Sequence, residues 1–160
     1  MVMGVDPGLI TTGYGILEVK GEKVILLEGG VVKTDSGKEL SLRLEQIFNG
    51  ISSVLDEFHP EVVAVEKLYS HYKHPRTAIM MGHARGVIYL AASLRKIPVV
   101  SYGATEIKKS ITGRGRASKE QVQYMMAREL GLSGLPKPYD VSDALAIALT
   151  HLNKRKKYVI

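Results

Sequence analysis

Two carboxylates, Asp140 and Asp143, stand three residues apart in "KPYDVSDALAIALTHLNKRKK", at the entrance of a segment that is apolar around most of its circumference. Helical spacing puts such a pair on one face. Asp140 alone reads as an N-cap and Asp143 as the third helical residue, where an acid favours the free amides and the positive end of the helix dipole. Val141, Ala144, Leu145, Ala148, Leu149 and Leu152 mark one buried stripe, and Ala146 with Ile147 makes the opposite side apolar too. The start of this helix is therefore expected to be enclosed by protein. An enclosed pair of aspartates demands a compensating cation.

Two more acids close apolar strands. Asp6 follows "VMGV" and precedes Pro7-Gly8, a turn that halts the strand as the carboxylate emerges. Glu66 ends "EVVAV", on the face of Val62 and Ala64 where alternation calls for an apolar residue. Taken singly, the first is an ordinary turn and the second a solvated strand end. Taken together, the four supply oxygen ligands only. The chain has no cysteine, and His71, His74 and His83 have no ligand spacing with the acids, so the chemistry is that of a hard cation, Mg²⁺ or Mn²⁺.

The elements that must position these acids follow from periodicity. Runs at 1–6, 12–21 and 22–34 are β-rich and joined by glycine-containing turns short enough for antiparallel neighbours, which predicts a meander. Leu40, Leu44, Ile47, Phe48, Ile51, Val54, Leu55 and Phe58 recur at helical spacing until His59-Pro60 ends the run. A strand at 61–67, a helix from about 75 to 96 and a strand at 97–102 make a β-α-β unit, whose strands pair in parallel. Helical runs at 104–112, 118–131 and 140–153 follow, divided by "TGRGRAS" and "GLSGLPKP". The class is α/β with a mixed sheet flanked by helices. Ligands bind at the carboxyl ends of parallel strands, where Asp6 and Glu66 stand. For all four acids to meet, the first and fourth strands must be neighbours and the last helix must aim its start at the same edge.

A chain of 160 residues, 45% hydrophobic and 24% charged, is long enough to bury a core without disulfides, and one domain over 1–153 with a basic tail at 154–160 is expected. The lack of cysteine removes zinc-thiolate sites and thiol nucleophiles. With no basic leader and no long apolar run, a soluble cytoplasmic protein without membrane contact is expected. Twenty-two Lys plus Arg against 16 Asp plus Glu give +6, which suggests a polyanionic partner, nucleic acid first.

Five stretches in order, "GVDPGLITTGYGI", "AVEKLY", "GHARGVIYLAA", "GRGRASKEQVQ" and "DVSDALAIALTH", resemble the RuvC family of Holliday-junction resolvases, and the resemblance runs from about residue 2 to 153. It implies an RNase H-like fold with a five-stranded sheet. It also implies a homodimer that cuts four-way DNA junctions with two Mg²⁺ ions per site, Mn²⁺ being able to substitute. A branch-migration helicase is a further partner implied by the resemblance, as is a preference for thymine-containing sites. The family's catalytic, metal-binding acids fall on Asp6, Glu66, Asp140 and Asp143. The family varies at the position of Asp140, sometimes placing histidine there, so that residue is a ligand or a base for the attacking water. Two metals about 4 Å apart would activate water and steady the leaving oxygen. Without cations, four close carboxylates would repel and take up protons, raising a carboxylate pKa.

Two segments carry candidate DNA contacts. In "LYSHYKHPR", Tyr69 and Tyr72 alternate with Lys73 and Arg76, a mixture that stacks on unpaired bases and holds the backbone; the plain alternative is a polar loop with half-buried tyrosines. In "EIKKSITGRGRASKEQ", Lys108, Lys109, Arg114, Arg116 and Lys119 surround two glycines, and Ser118 with Gln121 is placed to cap the next helix. The stretch is no Walker loop, and a solvated loop is its plain alternative. The resemblance places DNA-binding or catalysis-supporting lysines at Lys108 and Lys119. "KRKK" at 154–157 reads first as solvated charge. One site per chain and two strands to cut argue for a C2 dimer, with "IMMGHARGVIYLAASL" as the interface candidate through Gly82, Ala84, Gly86, Met81, Val87 and Tyr89.

Three other readings share features with this chain. An RNase H-like nuclease for RNA or RNA–DNA hybrid would use the same acids. A DNA-binding module would need none of them. An ATPase of the actin and sugar-kinase type opens on a similar strand turn but needs two lobes.

Overall fold

The computed structural model describes residues 1–68 and 75–156. Its strands are β1 (Val2–Asp6), β2 (Thr11–Lys20), β3 (Lys23–Lys33), β4 (Val62–Glu66) and β5 (Val99–Tyr102). They form one sheet in the order β3-β2-β1-β4-β5. The first three make the antiparallel meander, and β4 lies parallel to both β1 and β5. The first and fourth strands are thus neighbours, as convergence of the acids requires.

The helices are α1 (Leu40–Phe58), α2 (Pro75–Leu94), α3 (Ala104–Thr112), α4 (Lys119–Glu129) and α5 (Tyr139–Lys156). His59 takes the left-handed conformation that ends α1, φ 46°. β5 starts two residues later than periodicity suggests, after Pro98, which has no N–H to give a ladder. Ser118 and Gln121 form the expected reciprocal cap of α4: Gln121 N donates to Ser118 Oγ at 3.2 Å and Ser118 N to Gln121 Oε1 at 2.9 Å.

Strand alternation divides the core in two. Val2, Leu17, Val62 and Ala64 face α3, α4 and α5, while Met3, Val5, Ile16, Val63 and Val65 face α1 and α2. Asp6 and Glu66 share parity with Val2 and Val62, so they stand on the α5 side. α5 itself is buried without a break from Ala144 to Thr150. It rests almost on the sheet backbone. A Cβ added at Gly4 would lie 1.9 Å from Ala144 O, one at Gly13 2.2 Å from Asp140 O, and one at Gly15 2.4 Å from Leu145 Cδ2. At Gly4 and Gly13, where the clash is with backbone, only glycine permits that approach, whereas at Gly15 the Leu145 side chain would have to shift.

Two expectations change at the ends of α5. The helix starts at Tyr139, so Asp140 lies inside its first turn and is no N-cap. It also runs to Lys156, absorbing the first three positions of the expected tail. Lys154 Nζ reaches Glu106 Oε1 at 2.6 Å, so this turn is tied to α3. Among the described residues no helix is long and apolar enough to cross a membrane.

Candidate active site

The parallel ladder pairs Gly4 with Ala64 and Val5 with Val65. One step further the chain delivers Asp6 and Glu66, on strands about 4.8 Å apart. On its other side Asp6 pairs with Gly13, whose bare Cα lies under Asp140. The sheet and the seat of α5 therefore bring three acids together from three remote segments. Asp143 lies one turn along α5, where Oδ2 accepts from Lys119 Nζ at 2.6 Å and Oδ1 from Gln123 Nε2 at 3.3 Å. Both donors project from α4, four residues apart on one face.

The electrostatics record this gathering. Asp6 is pushed up to about 7, first by burial and then by Asp143, Glu66 and Asp140, with Lys119 opposing. Glu66 is also raised, by burial first and Asp143 second, against Lys119 and Lys108. The Lys119 ammonium is raised by its bond to Asp143. Mutual repulsion predicts a raised carboxylate. Two are found, Asp6 and Glu66, but loss of water outweighs repulsion in producing both.

This donor set fits a hard divalent cation chemically: oxygen ligands only, with a partly buried Asp6 held up near 7 even with Lys119 opposing. In the present rotamers, with Lys119 drawn onto Asp143, no three Asp, Glu or His side chains among the described residues converge on a point that would hold an ion.

Of the candidate DNA contacts, Lys108 and Lys119 act on the acids directly. Lys109, Arg114 and Arg116 are exposed at the end of α3 and in the loop before α4, with no bond to the acids. Arg76 is exposed in the first turn of α2, lining a cleft that includes Asp140. Tyr69, Tyr72 and Lys73 lie outside the described residues, as do His71 and His74. Three contributors escape sequence reasoning. Gln123 is 4% exposed, a buried amide whose signal is a polar residue between apolar neighbours. The glycines under α5 alternate within their strands, a pattern visible in "GYG". Arg85 lines a cleft with Asp6 and Glu66, its Nη2 donating to Tyr89 Oη at 2.5 Å and Ser101 Oγ at 2.8 Å.

The family model described as crossover junction endodeoxyribonuclease RuvC matches residues 2–151. The chain belongs to the RuvC family. A crossover junction endodeoxyribonuclease RuvC of Rhodopirellula baltica is 47% identical over 148 residues, covering 92% of this chain and 83% of that one. The solved structure of Thermus thermophilus RuvC matches with a TM-score of 0.91 at 38% identity, covering 98% of this chain and 96% of that one. The same organism's RuvC in complex with a Holliday junction substrate also has a TM-score of 0.91, at 39% identity, covering 98% and 95%. With this likeness the mixed sheet flanked by helices is the RNase H-like fold of RuvC.

Proposed function

We propose that this chain is a structure-selective endonuclease that resolves four-way DNA junctions by symmetric, metal-dependent hydrolysis of two opposed strands. The observation that carries the reading is Asp6: a partly buried carboxylate at the end of a central strand, pushed up to about 7 by loss of water and by the charges of Asp143, Glu66 and Asp140. The T. thermophilus RuvC solved with a Holliday junction substrate supports junction DNA as the ligand.

Asp6, Glu66, Asp143 and Asp140 would hold Mg²⁺, two ions per site, with Mn²⁺ able to substitute. When bound, such ions lower the pKa of attacking water and offset charge on the leaving oxygen. The chain's own part is positional. Asp6 is placed centrally between the acids of β4 and α5. Gln123 fixes one oxygen of Asp143. Lys119 stands as counter-charge to the other, free to turn to a phosphate once that oxygen is engaged. Asp140 serves as a further ligand or accepts the proton of the attacking water. Lys108, Lys109, Arg114 and Arg116 hold the DNA backbone on the α3–α4 side and Arg76 holds it on the α2 side, with Tyr69, Tyr72 and Lys73 as further DNA contacts.

Two cuts need two sites, and α2 offers the face to pair them. Ala84, Ile88, Ala91 and Ala92 of the interface candidate point into the core, whereas Ile79, Leu90 and Leu94 are 61%, 52% and 64% exposed, in line with Gly86. A homodimer through that face, a cytoplasmic location, and recruitment by a branch-migration helicase complete the proposal. The test is cleavage of a synthetic four-way junction, an RNA–DNA hybrid and a linear duplex, with and without Mg²⁺. Paired nicks in opposed strands of the junction are expected, and preferential hydrolysis of the hybrid would refute the substrate. Asp6→Asn and Asp143→Asn should abolish cutting while the junction is still bound; turnover by either would refute the site.

A further inference from the structure

The turn after β1 forms one wall of a second cleft, lined by Gly8, Ile10, Thr11, Arg43, Arg76 and Asp140. Met81 borders both this cleft and the one that holds Asp6 and Glu66, so the two are neighbours. Arg43, in the first turn of α1, is partly buried and firmly held. Its Nε donates to Thr34 Oγ1 at 3.0 Å and its Nη2 to Leu9 O at 3.1 Å. Thr34 Oγ1 donates to Leu9 O at 2.6 Å, and Thr34 N to Ile10 O at 3.0 Å. The guanidinium is thus fixed on neutral dipoles, and among the described residues it forms no ion pair, Asp140 included.

A guanidinium carries five N–H donors in a rigid fork, of which these bonds use two. A cation drawn partly out of water and matched by no carboxylate calls for an anion, and the spare donors of a fixed fork suit phosphate. Arg76 adds a second cation from the facing helix, with no ion pair among the described residues, and Asp140 lines the same cleft. Ile10, 65% exposed at the rim, supplies apolar surface of the kind a sugar covers. We infer that this cleft is a phosphate-binding subsite in which Arg43, with Arg76, grips the DNA backbone beside the scissile phosphate on the α1–α2 side of the acids. Arg43 then does two things with one group: it pins the turn that follows Asp6, and it reads the strand that this turn meets. The subsite rests on the nuclease reading and extends it to a residue outside the loops of high positive charge.

The experiment measures junction binding in EDTA by fluorescence anisotropy, over a salt series, for the wild type and for Arg43→Gln, Arg43→Lys and Thr34→Val. Arg43→Gln should weaken binding roughly tenfold and reduce the slope of log K against log salt by about 0.9 for each duplex phosphate that the variant no longer neutralises. Arg43→Lys keeps the charge and should keep most of the slope. Thr34→Val removes the clamp without the charge and should leave the slope intact. An unchanged slope in Arg43→Gln, or the same loss in Thr34→Val, would overturn the subsite and reduce Arg43 to a brace. Should Arg43→Gln not fold, the ¹⁵Nε–H resonance of Arg43 in the wild type decides: it moves on adding the junction, or the inference falls. A wild type that shows no preference for the junction over linear duplex counts against the junction reading instead, and the same comparison is then made on single-stranded DNA.

Discussion

Replacing Asp6 by asparagine is expected to stabilise the metal-free protein at pH 8 and to cost about 1–2 kcal/mol near pH 4, where only the amide's unpaired N–H donors count. In the native chain, burial followed by Asp143, Glu66 and Asp140 lifts this carboxyl from its ordinary 3.8 to about 7. Between those two values the folded state holds a proton that the unfolded chain has already released. Stability therefore falls as pH rises through that window and stays lowered above it. At roughly 1.4 kcal/mol per pH unit, the separation of the two values corresponds to about 4 kcal/mol by pH 8. An amide of the same shape removes the charge but brings N–H donors that need partners, so a net gain of about 2–3 kcal/mol is expected. For a chain of this length that is a rise in Tm of roughly 5–10 °C. Urea unfolding in EDTA at pH 4, 6 and 8, wild type beside variant, isolates the Asp6 contribution because other titrating groups cancel in the difference. Saturating Mg²⁺ should then stabilise the wild type more than the variant and narrow the gap. Equal or lower stability of Asp6→Asn at pH 8 would refute the claim that this carboxylate is held charged at the expense of the fold.

Gly13→Ala would push a methyl to 2.2 Å from Asp140 O, so the start of α5 must lift; a loss of about 1–3 kcal/mol in unfolding experiments and a larger fall in junction cutting than in junction binding are expected. Glu106, held near 2 by Lys154 first and by the Gly103 N–H second, should stabilise the fold above pH 4.5 and lose that contribution as pH falls toward about 2. Since its side chain is 40% exposed, screening keeps the effect small: Glu106→Gln should cost about 1 kcal/mol at pH 7 in low salt and nothing near pH 2, by chemical denaturation. Leu90→Arg places a charge on the exposed face of α2 and should convert dimer to monomer in analytical ultracentrifugation, with junction cutting abolished and the fold retained; an unchanged dimer would move the interface elsewhere.

Much of the site is legible in the sequence because acids are conspicuous where strands should be apolar. Parity alone puts Glu66 with Val62 and Ala64, and the β-α-β pattern supplies the parallel pairing that sets Asp6 beside it. Distance across the fold is what periodicity does not carry. Asp140 suggests an N-cap because local sequence offers nothing better, whereas the helix begins at Tyr139 and Ser142 Oγ donates back to Pro136 O at 2.8 Å. Gln123 looks like one polar residue in an amphipathic helix, and only the packing of α4 on α5 turns its amide onto Asp143. Arg43 carries no local signal because its partners, Thr34 and Leu9, are supplied by segments 9 and 34 residues away. The last turn of α5 resembles a tail because a run of lysines has no apolar period, while Glu106 holds it in place from α3.

The glycines under α5 explain why the acids are so strongly perturbed. Had Gly4 and Gly13 carried side chains, α5 would stand off from β1 and β2, water would enter beneath its first turn, and Asp6 would lie nearer its ordinary value. Close approach replaces that water with Asp140 backbone and brings the charges of α5 into range. Lys119, the cation that opposes the rise at Asp6, sits 2.6 Å from Asp143 on a side chain 58% exposed, and Asp6 is still held up near 7 in its presence. A single, half-solvated charge cannot compensate several carboxylates around a buried one, whereas a divalent ion with oxygen coordination can. On the proposed reading, the seat that lets the helix touch the sheet is thus also what would favour a stronger cation than Lys119, and it would tie proton loss at Asp6 to occupancy of the site.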